Sequence, residues 1–153
     1  MKIGIIGLGF VGLSLTSVLA SKGYDVIGID VDNEKCNKII NGISPFFEPE
    51  LEKTLQNGLK KKLKIENNFS LINTCDFIFV TVGTPQKSNG SIDLSKIKKA
   101  ISTIAENLLK NDKKPIIIIK STVIPGTTKK VILPILEKKL NKKNGKGFGL
   151  ISN

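Results

Sequence analysis

Apolar residues fall along this chain in short compact blocks, separated by longer stretches of helical spacing. Ile3 to Ile6 predicts a short buried strand, and Leu13, Leu15, Val18 and Leu19 predict a helix running to Lys22, with Gly23 as its terminator. Asp25 to Asp30 predicts a second strand. Lys35, Cys36, Ile39 and Ile40 predict a helix that starts at Asp32 or Asn33 and ends near Gly42. A loop broken by two prolines, Ser44 to Glu50, leads into a short helix over Leu51 to Leu59 and a third strand over Leu63 to Glu66. Phe77 to Val82 predicts a strong fourth strand, and Leu94 to about Leu109 a helix with Ile97, Ala100, Ile101, Ile104 and Leu108 on one stripe. Ile116 to Ile119 is apolar throughout, as a central strand covered on both faces must be. A helix to about Leu140 follows, which Pro134 is expected to kink, and Phe148 to Ser152 predicts a sixth strand.

Strand and helix in alternation imply right-handed crossovers and a mostly parallel sheet. The expected fold is a doubly wound, Rossmann-type α/β domain covering residues 1–153, with strand order 3-2-1-4-5-6. Its ligand crevice is expected where the order reverses, between strands 1 and 4.

The chemistry concentrates at the end of the first strand. Gly7, Gly9 and Gly12 form a GxGxxG pattern directly after a strand and at the opening of a helix. The first glycine permits the tight turn, the second lets backbone approach a pyrophosphate, and the third lets helix and strand pack closely. The helix start then offers unpaired N–H groups to phosphates. Asp30, at the end of the second strand, is placed to accept bonds from a ribose and to repel a 2′-phosphate, which favours NAD over NADP. Its other reading is a capping acid for the next helix, although Asp32 and Asn33 suit that position better. Thr84, in the turn closing the fourth strand, is a candidate cofactor contact. Ser121 and Thr122, in the turn after the fifth, suit either ligand contacts or local turn bonds. Phe46 and Phe47 are either a local anchor or a binding surface.

Composition narrows the field. The two cysteines, Cys36 and Cys75, have no metal-ligand spacing and there is no histidine, so a zinc site and a histidine-based triad are excluded. Both thiols are expected to be packed core. No apolar run reaches membrane-spanning length, and the N-terminus lacks a signal peptide, so a cytoplasmic protein is expected. The net charge of +11 raises a nucleic-acid partner. Yet every basic residue is lysine, without the arginine fork that reads phosphate and guanine. The lysines cluster at Lys60 to Lys64, Lys110 to Lys114 and Lys138 to Lys146, positions expected to be helix ends and loops. A solvated surface is the expected role, and a nucleic-acid or other polyanion-binding module the alternative.

Six segments together resemble a known family: Gly-Leu-Gly-Phe-Val-Gly-Leu (7–13), Val-Ile-Gly-Ile-Asp-Val-Asp (26–32), Pro-Phe-Phe-Glu-Pro-Glu-Leu (45–51), Val-Gly-Thr-Pro (82–85), Lys-Ser-Thr-Val-Ile-Pro-Gly-Thr-Thr (120–128) and Ile-Ser-Asn (151–153). They resemble, in order, the N-terminal NAD-binding domain of UDP-glucose 6-dehydrogenase and its nucleotide-sugar dehydrogenase relatives. The resemblance implies that the Val11 N–H meets the pyrophosphate and that Phe10, beside it, is a cofactor-binding residue. It implies that Asp30 and Lys35 surround the adenosine ribose, that Thr84 lies along the cofactor, and that Thr122 stands near the nicotinamide and positions a catalytic water. Family members oxidise a sugar C6 hydroxyl to a carboxylate in two NAD-linked hydride transfers. Their catalytic thiol, lysine and asparagine, and the UDP-sugar site, lie in a central helix and C-terminal domain beyond the Ser-Asn segment. Neither Cys36 nor Cys75 matches that thiol, so residues 1–153 are expected to bind NAD without completing catalysis. GDP-mannose or a UDP-N-acetyl-hexosamine remains an alternative sugar nucleotide.

Overall fold

The computed structural model describes residues 1–109 and 113–153; Lys110, named above in a basic cluster, lies outside them. Among the described residues, six strands form one sheet: β1 Lys2–Ile6, β2 Asp25–Ile29, β3 Leu63–Glu66, β4 Phe77–Val80, β5 Ile116–Ile119 and β6 Gly149–Ser152. Their order is β3-β2-β1-β4-β5-β6, and every neighbouring pair is parallel. Among the described residues, five α-helices cover it: α1 Phe10–Ser21, α2 Asn33–Ile40, α3 Leu51–Leu59, α4 Ser95–Leu108 and α5 Leu133–Leu140.

Side chains alternate across a strand, so the inner strands feed two cores. Ile3, Ile5 and Val26 pack with Leu13, Ala20, Leu51 and Leu55 on the α1 and α3 side. Ile6, Ile27, Ile29, Ile78, Val80, Ile117 and Ile119 pack with α4, α5 and Phe148 on the other. Consecutive apolar residues in β1 and β5 thus follow from coverage on both faces.

Several boundaries differ from expectation, the second strand ending at Ile29 rather than Asp30 and three others with an evident physical reason. The fourth strand stops at Val80 rather than Val82, because the Val80 carbonyl is the point where the chain leaves the ladder: both Lys120 N–H and Ser121 N–H donate to it, at 2.9 and 3.0 Å. Val82 keeps the run apolar by packing on the core from outside the sheet. Phe148 precedes β6, and its buried ring fills the core. Before α5 the chain makes a wide π turn over Thr128–Ile132, which leaves Pro134 in the first turn of α5. A proline there lacks an N–H and its ring crowds the carbonyl four residues back; the widened turn accommodates both.

The lysines of the first and third clusters that end α3 and α5, among them Lys60, Lys138 and Lys139, are exposed near the negative ends of those helix dipoles. Among the described residues, no helix is long and apolar enough to cross a membrane.

Candidate functional site

The order reversal between β2-β1 and β4 leaves a crevice at the carboxyl ends of these strands. There lies a cavity of about 500 Å³, lined by Gly7, Gly9, Asp30, Val31, Lys35 and Thr81 among others. A recess of about 580 Å³ on α5 is walled by one helix end and its loop, and brings no groups together from different strands.

Gly7 turns the chain out of β1 with φ +93°, a region that disfavours any Cβ. A Cβ at Gly9 would meet nothing within 4 Å, so this part of the turn is open to a ligand. A Cβ at Gly12 would overlap the Gly7 carbonyl oxygen and stand 2.6 Å from the Thr81 hydroxyl, so helix and turn touch here. No side chain caps α1 and no acid sits in its first turn. Among the described residues, its first N–H groups therefore have no side-chain acceptor, which leaves them available to an anion. Phe10 and Val11, on that turn, are exposed.

Asp30 stands just beyond β2, 8% exposed. Its Oδ2 accepts the Leu8 N–H at 2.7 Å and the Lys35 ammonium at 2.8 Å, while Oδ1 accepts the Asp32 N–H at 3.1 Å. The cap of α2 is Asp32, whose side chain accepts the Lys35 N–H at 3.0 Å. The capping role therefore belongs to Asp32, and Asp30 faces the cavity. Burial alone would push the Asp30 carboxyl up. The Lys35 ammonium and the N–H groups of Asp32 and Leu8 outweigh it and hold the carboxyl below its ordinary 3.8. A depressed carboxyl contributes stability that is complete above its unfolded value and is lost as pH falls through the folded one. Acid unfolding followed by circular dichroism should therefore show wild type losing stability relative to Asp30→Asn as pH drops below about 4. Parallel curves would show that the carboxylate adds nothing.

Thr84 and Thr122 lie farther along the same rim, outside the cavity's lining. The half-buried Thr84 hydroxyl donates to the Thr122 carbonyl at 2.6 Å, tying the loop after β4 to the loop after β5. The Thr122 side chain is exposed. Ser121 is buried, and its hydroxyl donates to the Val80 carbonyl at 3.3 Å, a local turn bond. Cys36 and Cys75 are buried free thiols. Cys36 donates to the Asp30 carbonyl at 3.3 Å, and burial pushes Cys75 up to about 11, far from a working nucleophile.

Several features of the site escape a reading of motifs. Phe46 is half-buried and stacks on Phe10, with centroids 5.1 Å apart, whereas Phe47 is 90% exposed. The first is thus an anchor for the glycine turn. Lys96, Lys99 and Thr103 add a polar wall from α4, and Phe69 an apolar one. Their i, i+3, i+7 spacing is the polar stripe opposite the core stripe of α4, a signal present in the sequence. Thr81, between Val80 and Val82, carries no motif signal.

Comparison with known proteins agrees with this geometry. The model for the UDP-glucose/GDP-mannose dehydrogenase family, NAD binding domain, matches residues 1–153. GDP-mannose 6-dehydrogenase of Pseudomonas syringae pv. tomato is 40% identical over all of this chain and 35% of its own length. A UDP-glucose 6-dehydrogenase of Haloferax volcanii is 32% identical, over all of this chain and 36% of its own. The crystal structure of a ternary complex of GDP-mannose dehydrogenase from Pseudomonas aeruginosa superposes with a TM-score of 0.97 at 37% identity, covering 100% of this chain and 36% of that one. The chain thus spans about a third of the length of these relatives. It belongs to the UDP-glucose/GDP-mannose dehydrogenase family as an NAD-binding domain, and NAD is its cofactor.

Proposed function

We propose that residues 1–153 form the dinucleotide site of a nucleotide-sugar 6-dehydrogenase, which oxidises a sugar C6 alcohol to a carboxylate. When bound, NAD would accept the hydride that leaves the sugar carbon. The observation that carries this reading is the Asp30 carboxylate, held beside the open glycine turn at the order reversal of the sheet.

In this reading the turn over Gly7, Gly9 and Gly12 seats the pyrophosphate, with the N–H groups of Phe10 and Val11 turned toward it. Asp30 accepts the hydroxyls of the adenosine ribose, and Lys35 holds the carboxylate in place from the side. Thr84 borders the cofactor farther along the rim. Thr122, exposed beside it, holds a water near the reacting carbon. Sugar binding and the second oxidation would draw on a further domain of a longer protein. GDP-mannose is the sugar nucleotide best supported by the relatives at 37–40% identity, and UDP-glucose is the second reading, supported by the relative at 32%.

Calorimetric titration of this chain tests the cofactor assignment. NAD should bind in the millimolar range or tighter. NADP should bind at least ~10-fold more weakly, because its 2′-phosphate would face the Asp30 carboxylate. An absence of heat with millimolar NAD would overturn the proposal.

A further inference from the structure

The peptide between Gly7 and Leu8 is gripped at both ends. Its N–H donates to Asp30 Oδ2 at 2.7 Å, from the β2 side of the crevice. Its carbonyl oxygen lies 2.7 Å from Thr81 Oγ1, on the β4 side. The same hydroxyl stands 2.9 Å from the Ile6 carbonyl oxygen, but that carbonyl already accepts the Thr81 N–H at 2.9 Å. A threonine hydroxyl has one proton to give. Among the described residues, the Gly7 carbonyl has the Thr81 hydroxyl as its donor, so the proton goes there. Thr81 also lines the cavity, and its Oγ1 occupies the space beside Gly12.

We propose that Thr81 is a positioning residue for the cofactor: its hydroxyl sets the plane of the Gly7–Leu8 peptide, and through it the seat of the pyrophosphate. The proposal rests on the reading of the glycine turn given above. Asp30 fixes one end of the peptide plane and Thr81 the other, so the turn cannot rotate about its own axis without breaking one of the two bonds. Without the hydroxyl, the carbonyl is free to tilt, and the N–H groups that follow it in the turn lose their common aim. Asp30 itself keeps the Lys35 and Asp32 bonds, so the ribose end of the site stays in place.

Two ligands separate this role from a purely structural one. NAD uses the pyrophosphate seat and the ribose end, whereas adenosine uses only the ribose end. Wild type, Thr81→Ala and Thr81→Ser would each be titrated with NAD by calorimetry and with adenosine by NMR shift, with the unliganded melting temperature recorded. Thr81→Ala should lose roughly three- to tenfold in NAD affinity, the scale of one hydrogen bond. Its adenosine affinity should stay within about twofold of wild type, since the ribose bonds are untouched. Thr81→Ser retains the hydroxyl and should restore NAD binding. Unchanged NAD affinity in Thr81→Ala overturns the proposal, as does an equal loss for both ligands or a failure of serine to rescue. A wild-type chain that binds no NAD overturns instead the reading of the glycine turn, a separately recognisable result.

Discussion

Replacing Asp30 with alanine is expected to weaken NAD binding by about 1–3 kcal/mol, because the ribose hydroxyls lose a charged acceptor. The effect should exceed that of removing any other single side chain of the cavity. One carboxylate collects three donors: the Leu8 N–H, the Asp32 N–H and the Lys35 ammonium. Alanine leaves the buried Leu8 N–H unanswered and frees Lys35 to swing into the ribose end of the cavity. That second change has a signature of its own. With the carboxylate gone and an ammonium in its place, the penalty on a 2′-phosphate turns into an attraction, so the ratio of NAD to NADP affinity should collapse toward unity. Calorimetry with both dinucleotides measures the two effects together. Unchanged NAD affinity would show that Asp30 serves the fold alone, and an unchanged ratio would show that its charge does not select the cofactor.

How far this site was legible in the sequence depends on what each residue needs from its neighbours. The strand blocks were legible because burial on both faces demands unbroken apolar runs, and Ile3 to Ile6 and Ile116 to Ile119 have little other use. The parallel sheet follows from alternation and crossover handedness, and its order from the dinucleotide-type glycine turn after the first strand, none of which needs a side-chain contact. Gly7 and Gly12 were legible because their constraint is local: one needs a backbone angle, the other the absence of a Cβ. Thr81 was not, because its function depends on a carbonyl 74 positions away that only the β1–β4 pairing brings near. The stack of Phe46 on Phe10 is hidden for the same reason, since no local pattern says which ring a proline-rich loop will meet. Hydrophobicity extends β4 two residues too far because it reports burial, and Val82 is packed against the core without belonging to the ladder. The widened turn before Pro134 shows the converse: the proline was visible, but the backbone's way of accommodating it was not.

Gly12→Ala should have the larger effect on the fold and should also remove NAD binding. The added methyl would overlap the Gly7 carbonyl oxygen and crowd the Thr81 hydroxyl at 2.6 Å and the Gly7 carbonyl carbon at 3.0 Å. Two of these three atoms are backbone, and the third is held by its bond to the Gly7 carbonyl, so no flexible side chain can yield. Relief requires α1 to move away from β1 as a body. That movement would open the packing of Leu13 and Ala20, which are both fully buried. The expected cost in stability is about 3 kcal/mol, the upper range for overpacking a tight contact. Gly9→Ala supplies the control, because a Cβ there meets nothing within 4 Å. It should leave the denaturation midpoint close to wild type while still weakening NAD, since its methyl would project into the space proposed above for the pyrophosphate. The pair therefore divides two meanings of glycine in one turn: at residue 12 the missing side chain makes room for the protein itself, and at residue 9 for the ligand. Urea denaturation and NAD titration of both variants read the two quantities separately. Equal stability losses would show that the turn's glycines serve packing alone, and a Gly12→Ala protein as stable as wild type would show that α1 can shift without cost.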